Sequence, residues 1–204
     1  MYTELEVINF LLSQVGAAPV SSLANPLPDV ASAQLRLNEA TIWVQKKGWW
    51  FNRLLFQDLE PDESTGEIDL PPNTIKIISE YPQFLVERDG KVWDPYRATF
   101  EFDQPVTIDI VVLLDWEDLP GSAQDAIMYR AAVQMLLHEL EDANQAGMVA
   151  PDAEQAYIQL QAEDLQIKQR HTYTTPAILR FLRRVRPYKR RSGNFNPLWP
   201  GGGL

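Results

Sequence analysis

The hydrophobic positions repeat with a helical period near both ends of the chain and with a strand-like period in the middle. Leu5, Ile8 and Leu12 are three or four residues apart, so they lie on one face of a predicted first helix. A second apolar seam with the same period covers 30–44, and two more stripes occur after the middle segment. The pattern therefore predicts two helices on each side of a different kind of segment.

Residues with known preferences for helix ends mark where these helices begin and end. Thr3 and Glu6 form a capping-box pattern, in which each side chain bonds a backbone N–H at the helix start. Gly16 and Gly48 can adopt the left-handed conformation that ends a helix, so they predict the ends of the first two helices. The fourth helix is expected to begin at Pro151, because proline is favoured in a first helical turn.

In the middle of the chain the hydrophobic positions tend to alternate, which is typical of β-strands. Asp89-Gly90 favours a type I′ turn, because both residues tolerate a positive φ, and it predicts a hairpin. A second hairpin is predicted across Asp103-Gln104-Pro105, between two further alternating segments. The predicted strands are 49–56, 67–70, 75–80, 84–87, 91–93, 99–102 and 106–114.

This order of elements predicts an α+β protein rather than an alternating α/β fold. The helices on the two sides most simply pack as one four-helix bundle, from which an antiparallel β-meander subdomain projects. We therefore expect a helical bundle over 1–48 and 119–172 and an inserted β subdomain over 49–118. An extended basic C-terminal arm is expected over 173–204.

The charged residues are distributed unevenly. All 28 Asp and Glu lie between Glu4 and Asp164, together with only nine Lys and Arg, so this part carries a net charge of −19. From Leu165 onward there are nine basic residues and no acidic one. An acidic body with a basic tail is the strongest single anomaly in this sequence.

Composition gives no sign of a cofactor site or of export. The two histidines, His138 and His171, do not form a zinc-binding pattern, and no glycine-rich phosphate loop occurs. We therefore expect no metal, no cofactor and no enzymatic activity. The acidic N-terminus is unlike a signal peptide, and the longest strongly apolar run, Ile110–Leu114, is far too short to span a membrane. Neither an export signal nor a membrane anchor is expected.

Two side-chain clusters admit a chemical interpretation beside a structural one. Asp115, Glu117 and Asp118 could serve a carboxylate-based peptidoglycan hydrolase, or they could be capping carboxylates in a solvated turn. The aromatic run Trp49–Phe51 could stack on sugars or bases, or it could be core where the bundle meets the sheet. The structural interpretation is favoured for both clusters.

Three segments, in order, carry a resemblance to a known family. Leu11–Leu23 contains a helix end followed by a Pro-Val-Ser loop, and Lys47–Asn52 is similar to a basic-Gly-Trp-x-Phe-Asn signature. Asp115–Pro120 fits the junction between a strand and a helix. Over about residues 5–170 the chain thus resembles the head-to-tail adaptor (tail tubular protein A) family of short-tailed, T7-like bacteriophages.

The resemblance implies a structural virion protein at the portal vertex of the phage tail, assembled in the host cytoplasm. It implies a homo-oligomeric, dodecameric ring bound between the portal protein and the tail nozzle (tail tubular protein B). DNA would pass through the lumen of this ring during ejection, without specific binding. A nucleic-acid-binding module and a tail-associated peptidoglycan hydrolase remain as alternatives.

The basic arm falls outside the resemblance, so its interpretation rests on its residues. Aromatic and aliphatic side chains alternate with the cations, which favours docking onto a protein over binding to DNA or an idle tail. The predicted partner-binding residues are Arg180, Phe181, Arg183, Arg184, Arg186, Tyr188, Lys189, Arg190, Arg191 and Trp199.

Overall fold

The computed structural model describes residues 2–24, 27–79, 84–139, 141 and 143–174, with side chains as far as 169. Helices and small antiparallel sheets make up this part, so the α+β class is confirmed. The elements are α1 Glu4–Gln14, α2 Pro28–Gln45, β1 Arg53–Leu59, β2 Thr74–Ile78, β3 Val86–Arg88, β4 Lys91–Trp93, β5 Val106–Val112, a 3-10 turn Trp116–Asp118, α3 Gly121–Glu139 and α4 Ala143–Thr174. The chain divides into two compact units after Leu165, and the contacts below lie within the first.

The predicted ends of the first two helices are confirmed. Thr3 and Glu6 form the capping box at the start of α1, and Gly16 follows its end with a φ of +72°. α2 ends at Gln45, and Gly48 has a φ of +79°. The chain therefore turns sharply out of both helices where glycine permits a left-handed conformation.

All four helices of the described residues contribute to one hydrophobic cluster. The predicted seam of α2 is buried along its whole length, and α1 and α3 pack against it and against each other. Ala156 and Leu160 of α4 complete the cluster. The buried side chains of α3 include several alanines, which allow neighbouring helices to approach closely.

The predicted start of the fourth helix is wrong. α4 begins at Ala143, and Pro151 lies inside it rather than in its first turn. Pro151 is followed by Asp152 and Glu154, so the sequence imitates a helix start. The helix continues through the proline although the ring removes one backbone donor.

The main sheet is antiparallel, but it lacks the strand order of a meander. Its order is β1-β5-β2, so the last strand in sequence lies between the first two. Six of the seven residues of β5 are buried, so both faces of this central strand are covered. A meander prediction assumes that successive strands are neighbours, and here a long connection separates the neighbours β2 and β5.

One of the two predicted hairpins is confirmed. β3 and β4 pair across Asp89-Gly90, and both turn residues have positive φ angles. The hairpin across Asp103-Gln104-Pro105 is wrong, because β5 pairs with β1 and β2 instead. The predicted strands 67–70 and 99–102 form only isolated bridges, and Trp49–Asn52 form a turn rather than the start of a strand.

A second hydrophobic cluster lies in the β part of the chain. It contains buried residues from β2, β4 and β5, together with Ile68, Leu70, Leu85 and Phe102. Leu114 packs against both clusters, so it lies where the helical and β parts meet. Among the described residues, none of the helices has an apolar stretch of the length that a membrane span needs.

Candidate interaction surfaces

The segment that resembles the family signature forms a joint between α2 and the sheet. Trp49 is 1% exposed, and its indole Nε1 donates to the carbonyl of Val44 at 2.7 Å. Its ring packs edge-on against Tyr157 with centroids 5.7 Å apart. The amine of Lys47 lies 5.0 Å from the Trp49 ring centroid, which is the geometry of a cation–π contact.

The aromatic run is therefore part of the core and not a stacking platform. Trp50 and Phe51 are half-buried, pack against the helical cluster and contact each other edge-on at 5.0 Å. The backbone N–H of Trp50 donates to Asp164 Oδ1 at 3.1 Å, which ties the turn to α4.

Two buried amide side chains complete the joint. Asn52 accepts from the Trp49 N–H at 2.8 Å and donates to the carbonyls of Gln45 at 3.0 Å and Val112 at 2.9 Å. The side chain of Gln45 donates to the Leu114 carbonyl and accepts from the Leu114 N–H, both at 2.9 Å. These bonds connect the end of α2 to the end of β5 in a fixed geometry.

An irregularity in β1 exposes three consecutive large apolar side chains. Leu54 faces Ile110 and Gln57 faces Ile108, so β1 has one extra residue at this point, which is a β-bulge. Leu54, Leu55 and Phe56 are 42%, 53% and 69% exposed. We call these three residues the bulge patch.

Asp109 of β5 holds the bulge in place. This carboxylate is largely buried and accepts from Nε and Nη2 of Arg53, at 3.0 and 2.5 Å. Its other oxygen accepts from the backbone N–H of Phe56 at 2.8 Å. Phe56 has a φ of +52°, a conformation that is rare and costly for a bulky residue, so the hydrogen bonds offset a local strain.

Exposed carboxylates follow the bulge patch along the chain. Asp58 accepts from the hydroxyl of Thr107 at 2.6 Å, and Glu60 is exposed two residues further on. Asp62 accepts from the backbone and side chain of Ser64 and from Thr65. Hydrogen bonds from the Ser64 side chain, and then from the backbone of Ser64 and Thr65, lower the pKa of Asp62 to about 2.

An apolar groove of about 220 Å³ is lined by residues of α2, α3 and α4. The Arg130 guanidinium lies 3.4 Å from the centroid of the Trp43 ring, and burial lowers its pKa. Tyr157 closes one side of the groove and contacts Trp43 at 5.5 Å. The groove offers a flat aromatic surface with a cation already stacked on it.

The carboxylates considered for hydrolysis are in a solvated turn. Asp115, Glu117 and Asp118 are all exposed at the 3-10 turn before α3. The capping role is wrong for Asp115, whose side chain forms no capping hydrogen bond. A glycosidase acid needs a carboxyl in an apolar environment, and this exposed turn does not provide one.

The remaining predicted site residues fall in two groups. His138 is exposed in the last turn of α3, and the described residues contain no cluster of potential metal ligands. The side chain of His171 lies outside the described residues, as does the arm 173–204 apart from its first two positions, where α4 continues. Outside the described residues are therefore Arg180, Phe181, Arg183, Arg184, Arg186, Tyr188, Lys189, Arg190, Arg191 and Trp199.

Sequence reasoning missed the bulge patch. A signal was present, because Leu54-Leu55-Phe56 interrupts the alternation of apolar and polar residues that a half-buried strand shows. Such a run can mean a fully buried strand or an apolar surface, and the strand order decides between them. β1 is at an edge of the sheet, so the run is exposed.

A rigid joint and exposed apolar surfaces are features of a protein that assembles with other proteins. The family model for tail tubular proteins matches residues 5–171. The chain is 28% identical over 188 residues to tail tubular protein A of Klebsiella phage KP34, and the match covers 90% of this chain and 96% of that relative. The chain therefore belongs to the tail tubular protein family, and it is a structural component of a phage virion tail.

Proposed function

We propose that this tail protein is a ring-forming head-to-tail adaptor, which joins the portal to the tail nozzle and forms part of the DNA ejection channel. The observation that carries the proposal is the family match over 5–171, which includes both the helical and the β part. Because the match includes both parts of the body, both parts are expected to serve in the tail. An adaptor in the tail needs contacts with its own copies and with neighbouring tail proteins. The proposed partners are a dodecameric ring of this chain, the portal protein and the nozzle protein, tail tubular protein B.

The helical part and the β part each have their own hydrophobic cluster, which supports different roles for the two parts. The helical part, 1–48 and 119–172, packs as a four-helix bundle and makes the contacts between copies in the ring. The β part, 49–118, and the arm, 173–204, contact the neighbouring rings. The hydrogen bonds of Gln45 and Asn52 keep the two parts in a fixed relation, so a load on one part reaches the other.

An acidic body suits a channel through which DNA must slide. Residues up to Asp164 carry a net charge of −19, and like charges repel phosphates near contact. Screening limits this repulsion to about 8 Å at physiological ionic strength, so it acts on DNA that approaches the wall. DNA then passes the ring without specific binding.

The arm docks onto an acidic protein partner, which is either the portal or an adjacent adaptor. Its cations pair with carboxylates while its aromatic side chains fill pockets. The residues proposed for this contact include Arg183, Arg184, Arg186, Tyr188 and Trp199.

Electron microscopy of the purified protein mixed with its cognate portal tests the adaptor role. We expect rings that cap the portal, and we expect a protein truncated after 175 to remain folded but fail to attach. Replacing Arg183, Arg184 and Arg186 with Ala should weaken attachment most at low salt, where charge attraction is least screened. Arg88→Ala with Arg97→Ala removes cations from the body instead and serves as the control.

Three results would contradict this function. A truncated protein that caps portals as well as the full chain would remove the docking role of the arm. Full-length protein that forms no ring with or without the portal would remove the adaptor role. Steeply salt-dependent binding of duplex DNA by the full chain would instead favour a nucleic-acid-binding module.

A further inference from the structure

Packing inside the body does not explain why the apolar side chains of the bulge patch are exposed to solvent. Phe56 is more than two-thirds exposed, and its backbone is in a left-handed conformation that few bulky residues adopt. The buried Asp109 anchors this conformation through Arg53 and the Phe56 N–H. A fold that keeps a strained backbone in order to present an apolar side chain to solvent indicates a contact made on that side.

The surroundings of the bulge patch define the charge of the partner. Four exposed carboxylates follow it within seven residues, and the sequence contains no Lys or Arg between Arg53 and Lys76. The carboxylates are Asp58, Glu60, Asp62 and Glu63. A partner of this surface must therefore combine apolar side chains with positive charge.

Among the other concave surfaces of the described residues, one lined by Glu4, Asp115 and Glu117 is also acidic, but its apolar side chains are less exposed than those of the bulge patch. Three others have cations in their walls. The groove beside Trp43 already holds the guanidinium of Arg130. A second cavity has Lys46 and Lys76 in its wall, and a third has Arg97. Each of these cations would repel a basic partner at close range.

The chain itself contains a segment with the required chemistry. Residues 175–204 follow the described end of α4 and carry seven Lys and Arg with no Asp or Glu. Large apolar side chains are interspersed among these cations, including Phe181, Leu182, Tyr188 and Trp199. Thirty residues can span at most about 100 Å when extended, which is enough to reach a neighbouring copy.

We propose that the bulge patch and its carboxylates bind residues 175–204 of a neighbouring copy of this chain. This inference rests on the proposed ring and chooses the adjacent adaptor over the portal as the partner of the arm. It adds a contact between the β part and the arm to the contacts between copies that are proposed for the helical part. Two acidic bodies, each at −19, repel one another, and a segment with seven positive charges placed between them offsets that repulsion. A contact between two different surfaces of identical copies is the kind that closes into a ring.

Cross-linking of full-length chains tests the contact, because the protein has no native Cys. A Leu55→Cys variant is mixed with an affinity-tagged Ser192→Cys variant and treated with a short bismaleimide. The expected product is a mixed pair of two chains, which the tag distinguishes from pairs of one variant. Ile158→Cys is the matched control for Leu55→Cys, because the two positions are exposed to 54% and 53%. We expect at least about tenfold less mixed product with Ile158→Cys.

Further substitutions in the Leu55→Cys background separate the apolar and the ionic part. Phe56→Asn should lower the yield of mixed product about tenfold, since the transfer of a Phe side chain from water is worth at least that factor. Asp58→Asn with Glu60→Gln should lower the yield most at low salt. Glu117→Gln with Asp118→Asn removes two carboxylates elsewhere on the body, and it should leave the yield unchanged. Thermal melts of each variant show that it is folded.

Several outcomes overturn the proposal, and they are distinct from failure of the adaptor function. Equal yields with Leu55→Cys and Ile158→Cys would show that the arm has no preference for the bulge patch. Cross-linking within one chain carrying both Leu55→Cys and Ser192→Cys, without any mixed product, would show that the arm binds its own body. Cross-linking of Ser192→Cys to an added portal alone would assign the arm to the portal. If the wild-type protein forms rings under the same solution conditions, each of these results leaves the adaptor function standing.

Discussion

The side-chain amide of Asn52 donates to the backbone carbonyl of Gln45 at 3.0 Å, across the turn that ends α2. Asn52 is fully buried, and the same amide also reaches the carbonyl of Val112 in β5. Its oxygen accepts from the Trp49 N–H inside the turn. One side chain thus links the end of a helix, a turn and the central strand of the sheet.

Replacement of Asn52 with Ala should lower the free energy of unfolding by about 2–4 kcal/mol. The reason is that the buried Trp49 N–H and Val112 carbonyl each lose a hydrogen bond, and an unsatisfied buried group costs about 1–3 kcal/mol. Urea denaturation of the full chain measures the change, with the exposed Asn38→Ala as the control. A loss for Asn52→Ala no larger than the loss for Asn38→Ala would show that the joint contributes little to stability.

The sequence predicts the helical part well, because its signals are local. The capping box at Thr3 and Glu6 and the turns at Gly16 and Gly48 depend on nearby residues alone. The Asn52 network is different, since its partners include Val112, which is distant in sequence. No local pattern distinguishes a buried asparagine of this kind from an ordinary turn asparagine.

Gly48 should be much less tolerant of a side chain than another glycine with the same backbone conformation. A Cβ at Gly48 would lie 2.9 Å from Cγ2 of the buried Val111, whereas a Cβ at Gly90 meets nothing within 4 Å. Their φ angles are +79° and +74°. Gly90→Ala should therefore cost about 1–2 kcal/mol from backbone strain alone. Gly48→Ala should cost at least about 1 kcal/mol more, because the interior is overpacked.

Urea denaturation of the two alanine variants measures this difference. The comparison removes the contribution of φ, so what remains is the contact with Val111. Equal losses for Gly48→Ala and Gly90→Ala would mean that Val111 moves aside without cost.

Asp62 should make the exposed turn over 62–65 sensitive to acid. Its pKa falls from 3.8 to about 2 because Ser64 and Thr65 donate hydrogen bonds to the carboxylate. A lowered pKa in the folded state means that the stabilisation is fully present above about pH 4 and is lost as the pH falls through about 2. The difference in unfolding free energy between the wild type and Asp62→Asn should be constant near neutral pH and shrink over that window. Glu63→Gln removes a neighbouring carboxylate that accepts none of these hydrogen bonds, and it is the control.

The strand order was the part of the fold that the sequence could not reveal. Local alternation identified the segment that became β5, but it contains no information about which strands become its neighbours. That choice depends on contacts between residues far apart, such as Arg53 with Asp109. The exposure of the bulge patch follows from the same choice, because it places β1 at an edge. For the same reason the apolar run Leu54–Phe56 could not be recognised as a surface.

Phe56 should limit the stability of the isolated protein. Its φ of +52° costs about 1–2 kcal/mol for a residue with a bulky side chain, and the exposed ring recovers little by burial. Asparagine tolerates the left-handed conformation, so Phe56→Asn should leave the free energy of unfolding unchanged or raise it by about 1 kcal/mol. Phe56→Val is the opposing control, because a β-branched residue is least tolerant of positive φ and should destabilise the protein. Urea denaturation of the three proteins, below the concentration at which they assemble, gives the comparison. If Phe56→Asn is instead less stable than the wild type by more than about 1 kcal/mol, the aromatic side chain of Phe56 stabilises the fold itself and the strain argument fails.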